Sequence, residues 1–127
     1  MSPVLAAAAE LSAAFAARDA AAALACFVAG DDIAYVGSEH AESATGREAV
    51  AALFTEVFRR DEAYSWEVTT ASVLQYRDCA YVIATADGFA HTGDAVIPFA
   101  YRISGLLEPA ATGWRWRYCH GCEPTQD

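Results

Sequence analysis

Past Asp61 the hydrophobic period of this chain changes from that of helices to that of strands, and it does not change back. Four long stretches follow, Trp66–Tyr76, Ala80–His91, Val96–Leu107 and Trp114–Cys122, each rich in β-branched and aromatic residues. Arg77-Asp78, Thr92-Gly93-Asp94 and Pro109–Gly113 separate them. Connections this short join antiparallel neighbours, because a parallel pair needs a crossover of about a dozen residues or more. A block of helices followed by a block of strands is the pattern of an α+β domain, not of alternating βαβ units.

In the first half, Ser2-Pro3 reads as a helix cap followed by proline at the first helical position, where its missing N–H costs nothing. Val4, Ala8, Leu11 and Phe15 share one helical face and predict a first helix to about Ala17. Asp19 can cap a shorter second helix that carries Leu24, Phe27 and Val28 and is ended by Gly30. Asp32–Gly37 is short, apolar and bounded by turn formers, which predicts an early strand. Thr45 and Glu48 stand at the reciprocal positions of a capping box. Behind them Val50, Leu53, Phe54, Val57 and Phe58 form an amphipathic stripe, predicting a third helix to about Arg60.

At 127 residues the chain is read as one domain, 1–127, large enough to bury a core without metal or disulfide support. Ala supplies much of its 55% hydrophobic content, and no run approaches the roughly 18 consecutive apolar residues of a membrane-spanning helix. The first charged residues are Glu10 and Arg18, so the start lacks the basic segment of a secretory signal, and a cytoplasmic protein with no membrane partner is expected. A formal charge of −9 would repel phosphates, so nucleic acid is not an expected partner. Cys119 and Cys122 are an odd number of residues apart on a strand and so point to opposite faces, while Cys26 and Cys79 stand alone. Neither a metal site nor a disulfide is expected, and no cofactor is implied.

The last strand-like stretch is the most specific. Under strict alternation Trp114, Trp116, Tyr118, His120 and Cys122 fall on one face, with Arg115, Arg117, Cys119 and Gly121 on the other. An aromatic wall ending in an imidazole suits a core, or the lining of an apolar pocket with a polar group at one end. Phe54, Phe58 and Trp66, with Trp116 and Tyr118, could pack against an aromatic or polycyclic ligand or against one another. Asp87 and His91 share a face with Thr85, and an Asp inside a strand is unusual. Arg102, Arg115 and Arg117 could recognise a carboxylate or form cross-strand ion pairs. Ala80-Tyr81-Val82-Ile83-Ala84 is apolar on both faces, which predicts a homodimer burying the face that the helices leave open.

Taken together, Val36-Gly37-Ser38, then Glu42, then Gly46-Arg47-Glu48-Ala49-Val50, and the ending Trp114…His120-Gly121-Cys122 resemble the SnoaL-like branch of the nuclear-transport-factor-2-like (cystatin-like α+β) superfamily. The resemblance spans nearly the whole chain. It implies a cone-shaped, strongly curved, mostly antiparallel sheet wrapped around three N-terminal helices and enclosing an apolar pocket, usually in a homodimer. It also implies that the first strand runs parallel to the last. His120 would then lie on the concave side within reach of Tyr35, Ser38 or Glu42, either as an acid–base group or as a histidine fixed for structure by a neighbouring strand, and Glu42 could orient it or accept from backbone donors near the start of the third helix. Tyr35 joins the aromatic residues named above as pocket lining. Such families include ketosteroid isomerases, polyketide cyclases, epoxide hydrolases and dehydratases beside non-catalytic binding and assembly domains, so fold does not fix activity. Relatives of this pattern commonly end His-x-Ser, where this chain has Cys122. No motif here matches the Asp base and Tyr donor of ketosteroid isomerases, or the Asp-Arg-Asp set of epoxide hydrolases. Two functions follow from the resemblance. One is an isomerase, cyclase or dehydratase acting by proton transfer on a small apolar, polyketide- or steroid-like molecule. The other is a non-catalytic ligand-binding or dimerisation module with a filled pocket.

Overall fold

In a computed structural model, which describes residues 2–125, Ser2 accepts a hydrogen bond from Val4 N at 3.2 Å and Pro3 opens α1 (Pro3–Ala17). Asp19 Oδ1 accepts from Ala22 N at 3.0 Å and starts α2 (Ala20–Ala25). Both caps are those predicted. The early strand is β1 (Ala34–Val36), and the chain returns through a polar loop into β2 (Ser43–Thr45), a strand too short to carry a period. The strand-rich half forms β3 (Ala63–Tyr76), β4 (Cys79–Thr92), β5 (Ala95–Pro109) and β6 (Trp114–Cys122).

The third helix, α3 (Arg47–Val57), buries Val50, Phe54 and Val57 as its stripe predicts, but it ends before Arg60 and its start is built differently. Gly46 is the cap residue, at φ 93°, and the Thr45–Glu48 box does not form. Thr45 is instead committed to β2, opposite Ala34. Asp31 does the capping from a distance, its Oδ1 accepting from Arg47 N at 3.0 Å, while Arg47 Nε donates to Gly30 O at 2.8 Å. A tertiary clamp thus replaces the local one.

The six strands form one sheet in the order β2-β1-β6-β5-β4-β3, with β1 and β6 parallel and every other neighbouring pair antiparallel. The family expectation of a parallel first and last strand holds, with Tyr35 opposite Cys119 and Val36 opposite His120. The helices cover the concave face. α1 also closes the β3 edge: Ser12 Oγ accepts from Trp66 N and donates to Trp66 O, both at 2.8 Å. An edge strand whose backbone is satisfied by a helix offers no template for pairing at that point. No helix among the described residues is long and apolar enough to cross a membrane.

One irregularity overturns the alternation read from the sequence. Leu106 pairs with Tyr118, yet Leu107 pairs with Trp116, so Arg117 is an extra residue in β6. A β-bulge of this kind shifts the following residues by one position relative to the pleat. Trp116 faces inward at 0% exposure, but beyond the bulge Cys119 and Gly121 are the buried residues. Tyr118 and His120 therefore point to the convex face, where Tyr118 is 38% exposed.

Candidate ligand pocket

Two parts of the concave side differ in how they are filled. One part is solid, with Trp116, Phe54 and Leu107 at 0% exposure. The other lies between the last turn of α1, the end of α3 and the β1–β2 loop, and holds a cavity of about 60 Å³. Its buried walls are aromatic: Phe15 from α1, Tyr35 from β1, Trp66 from β3 and Tyr101 from β5, with Tyr64 and Phe99 less deeply placed. Phe99 stands at 89° to Tyr101 and 80° to Tyr64, so the rings meet as edges and faces and not as one flat stack. Ser38, Glu39, Glu42, Arg60 and Glu123 form the polar rim.

At the deep end two phenols meet. Tyr35 on β1 and Tyr101 on β5 flank β6, and their hydroxyls face one another across it. Burial pushes both hydroxyls well above their ordinary value of 10.0. They are neutral donors at any physiological pH.

Glu42 sits at the rim with its carboxylate fully occupied. Oε1 accepts from Glu39 N at 3.1 Å, and Oε2 accepts from Arg60 at 3.0 Å. Gly37 leaves the space for this arrangement, since a methyl there would stand 2.6 Å from Glu42 Oε1. Glu42 is therefore an ion-paired anchor of the β1–β2 loop and does not stand as a free base.

The residues singled out from the sequence divide into three groups. Tyr35, Trp66 and Glu42 line the cavity. Phe54, Phe58 and Trp116 are core: Phe54 stacks on Phe58 at 5.9 Å, and the Trp116 indole donates to Ala7 O at 3.4 Å. Tyr118 and His120 lie on the outer face because of the bulge, so His120 is not brought to Glu42 or to the cavity. Asp87 is exposed on the outer face of β4, and His91 pairs there with Ser65 Oγ at 3.0 Å. Arg117 is engaged bidentately by Glu108 and Arg115 approaches Glu10, the ion-pair alternative for both. Tyr101 and Phe99 were missed. Their signal is the alternation Phe99, Tyr101, Ile103, Leu107 on the inward face of β5. Among the described residues no three His, Cys, Asp or Glu side chains converge as a metal site requires.

The buried hydroxyls and thiols predict the alkaline behaviour of the fold. Burial raises Tyr35 and Tyr101, and it raises Cys119 and Cys26, the last to about 11. As pH rises past their ordinary values the unfolded chain releases these protons and the folded chain keeps them. The unfolded state then binds fewer protons, and stability falls with rising pH. Each group contributes a loss of about 1.4 kcal/mol per pH unit. The urea midpoint should hold steady near neutrality and fall steeply between about pH 9 and pH 11. A midpoint that is flat over that range would mean the four groups are open to solvent.

The family model described as a SnoaL-like domain matches residues 4–125. No curated protein matches the chain in sequence. Among solved structures, a candidate dehydratase of the NTF2-like family from Streptomyces avermitilis superposes with a TM-score of 0.81 at 15% identity, over 97% of this chain and 94% of that one. A ketosteroid isomerase-like protein from Erwinia carotovora atroseptica gives 0.70 at 27% identity, over 97% and 95%. A candidate calcium/calmodulin-dependent protein kinase type II association domain from Thiobacillus denitrificans gives 0.76 at 27% identity, over 95% and 94%. Proteins named for chemistry and a protein named for assembly share this fold, so activity has to be argued from the cavity.

Proposed function

The chain belongs to the SnoaL-like domain family, and from that premise we propose that it binds a small, neutral, largely apolar molecule whose acceptor oxygen is seated against the Tyr35–Tyr101 hydroxyl pair. The observation that carries this reading is the pair itself, buried and neutral at the end of an aromatic-walled cavity. Two neutral phenols that face one another carry two O–H protons, of which one at most can be spent on the other hydroxyl. A ligand carbonyl that accepts the other becomes more electrophilic, and its neighbouring C–H more acidic. That is the chemistry an isomerase, cyclase or dehydratase needs. The base would come from the rim, where Glu39 and Glu42 both pair with Arg60, at 3.4 and 3.0 Å, and Glu123 stands apart from that arginine. Three glutamates against one arginine also make the rim unfavourable to anions.

Acetophenone, α-methylstyrene and benzoate test this directly, since they match in shape and differ in acceptor and charge. Acetophenone should bind several-fold more tightly than α-methylstyrene, as a neutral hydrogen bond is worth about 0.5–1.5 kcal/mol. Benzoate should bind least. Tyr101→Phe should abolish the advantage of the ketone. Equal binding of ketone and alkene to the native protein would sink the reading.

The small size of the cavity, about 60 Å³, favours a second reading in which the domain binds without catalysis. Exchange of the acetophenone methyl protons in D₂O separates the two. Exchange faster than in buffer, and lost in Tyr101→Phe, supports proton transfer. Binding without exchange supports a non-catalytic domain.

We further propose that the convex face pairs with a second copy of this chain. Leu74, Tyr81, Leu106 and Tyr118 form one cross-strand row there, and Ser72, Ile83, Ser104 and His120 form the next. Leu74, Tyr81 and Ile83 are 57%, 46% and 54% exposed. Neither row contains an acid, although the chain carries a formal −9. On this proposal His120 belongs to the interface.

A further inference from the structure

Tyr35 and Tyr101 stand on strands that are not neighbours, because β6 runs between β1 and β5. Neighbouring strands are about 4.8 Å apart, so the two side chains must reach over a span of roughly 10 Å to meet. What they reach over is the inner face of β6, and there the chain places Cys119, opposite Tyr35, and Gly121. Gly121 is not in the left-handed region, so its backbone would accept any residue. The constraint is space. A methyl built on Gly121 overlaps the Tyr101 hydroxyl outright and lies 2.6 Å from its Cζ. Tyr101 cannot simply swing aside, since its ring is held between Trp66 at 5.3 Å and Phe99 at 5.8 Å. Phe99 is itself laid over Gly88, where a methyl would come within 2.6 Å of its Cζ.

We infer that Gly121 is the positioning residue of the pocket, an opening in β6 across which the Tyr35 and Tyr101 hydroxyls are brought together. The inference rests on the hydroxyl pair being the polar end of the site, as proposed above. It assigns the role of the His120-Gly121-Cys122 segment to the residue without a side chain. Gly121 touches no ligand and acts only through the position of Tyr101.

Gly121→Ala should keep its affinity for α-methylstyrene within about two-fold while the preference for acetophenone disappears. Adding Gly121→Ala to Tyr101→Leu should change neither affinity further, because the hydroxyl being positioned and the ring that contests the space are both already gone. Equal weakening of both probes by Gly121→Ala, or an intact preference, would overturn the inference. A crystal structure of Gly121→Ala decides the matter even if the native protein fails to prefer the ketone. A displaced Tyr101 hydroxyl beside an unmoved Tyr35 supports the positioning role, and an unmoved Tyr101 refutes it. Should Gly121→Ala not fold, Tyr101→Leu in the same chain should restore folding by vacating the contested space. Failure of that double variant to fold also refutes it.

Discussion

Trp116→Ala is expected to lower folding stability by about 3–5 kcal/mol, the range for truncating a large buried aromatic residue. The indole is 0% exposed and is tied from several directions. Its Nε1 donates to Ala7 O at 3.4 Å, linking β6 to α1. The backbone on either side is bridged to the end of α2: Trp116 N donates to Cys26 O and Val28 N to Trp116 O, each at 2.9 Å. The truncation would leave a void at the junction of sheet and both N-terminal helices, and the rigid strand beneath it cannot collapse to fill the space. Against a typical total of about 5–15 kcal/mol, such a loss moves a protein of this size close to unfolding at ambient temperature. The urea midpoint should fall by roughly 2 M. The same experiment tests the alternative role assigned from sequence. A Trp116→Ala protein of native stability that loses ligand affinity would return this residue to the pocket wall.

Why the sequence led Trp116, Tyr118 and His120 to one face is physically plain. Alternation is a local property, and it is obeyed on each side of Arg117. The bulge is not local, because it exists only in the register between Leu106-Leu107 of β5 and Trp116–Tyr118 of β6. Nothing within β6 announces it. The Thr45–Glu48 box failed for a related reason, since Thr45 was claimed by a strand pairing with Ala34 that only the folded chain brings about. The Ser2 and Asp19 caps have no such competitor, and both form as read. The stripes of α1 and α3 and the meander were likewise legible, and the parallel β1–β6 pair followed from the family resemblance alone. Of the cavity lining, Tyr35, Trp66 and Glu42 are among the residues the sequence singles out. Tyr101 is not, because its importance comes from reaching over β6 to Tyr35, a relation between three strands.

Ile83→Glu is expected to convert a homodimer into a monomer without harming the protomer. Ile83 is 54% exposed on the convex face, between Ser72 and Ser104 in its cross-strand row, so the substitution removes no core contact. Its effect would appear only where a second copy covers it. A stable interface buries about 800 Å² per partner, a modest share of the 7130 Å² surface of this chain. The apolar row that ends at Tyr118 and the uncharged row of Ser72, Ile83, Ser104 and His120 beside it lie across four strands and supply a continuous patch without an acid. Placing a carboxylate on each copy at such a contact strands two charges away from water, and association should weaken by at least about a hundred-fold. The native protein should sediment as a dimer at micromolar concentration, with a melting temperature that rises with concentration by mass action. The variant should sediment as a monomer, with the same circular dichroism and a melting temperature independent of concentration. Native protein that is monomeric at that concentration removes the interface. A dimer that survives Ile83→Glu moves it to another surface, and His120 with it loses its assigned place.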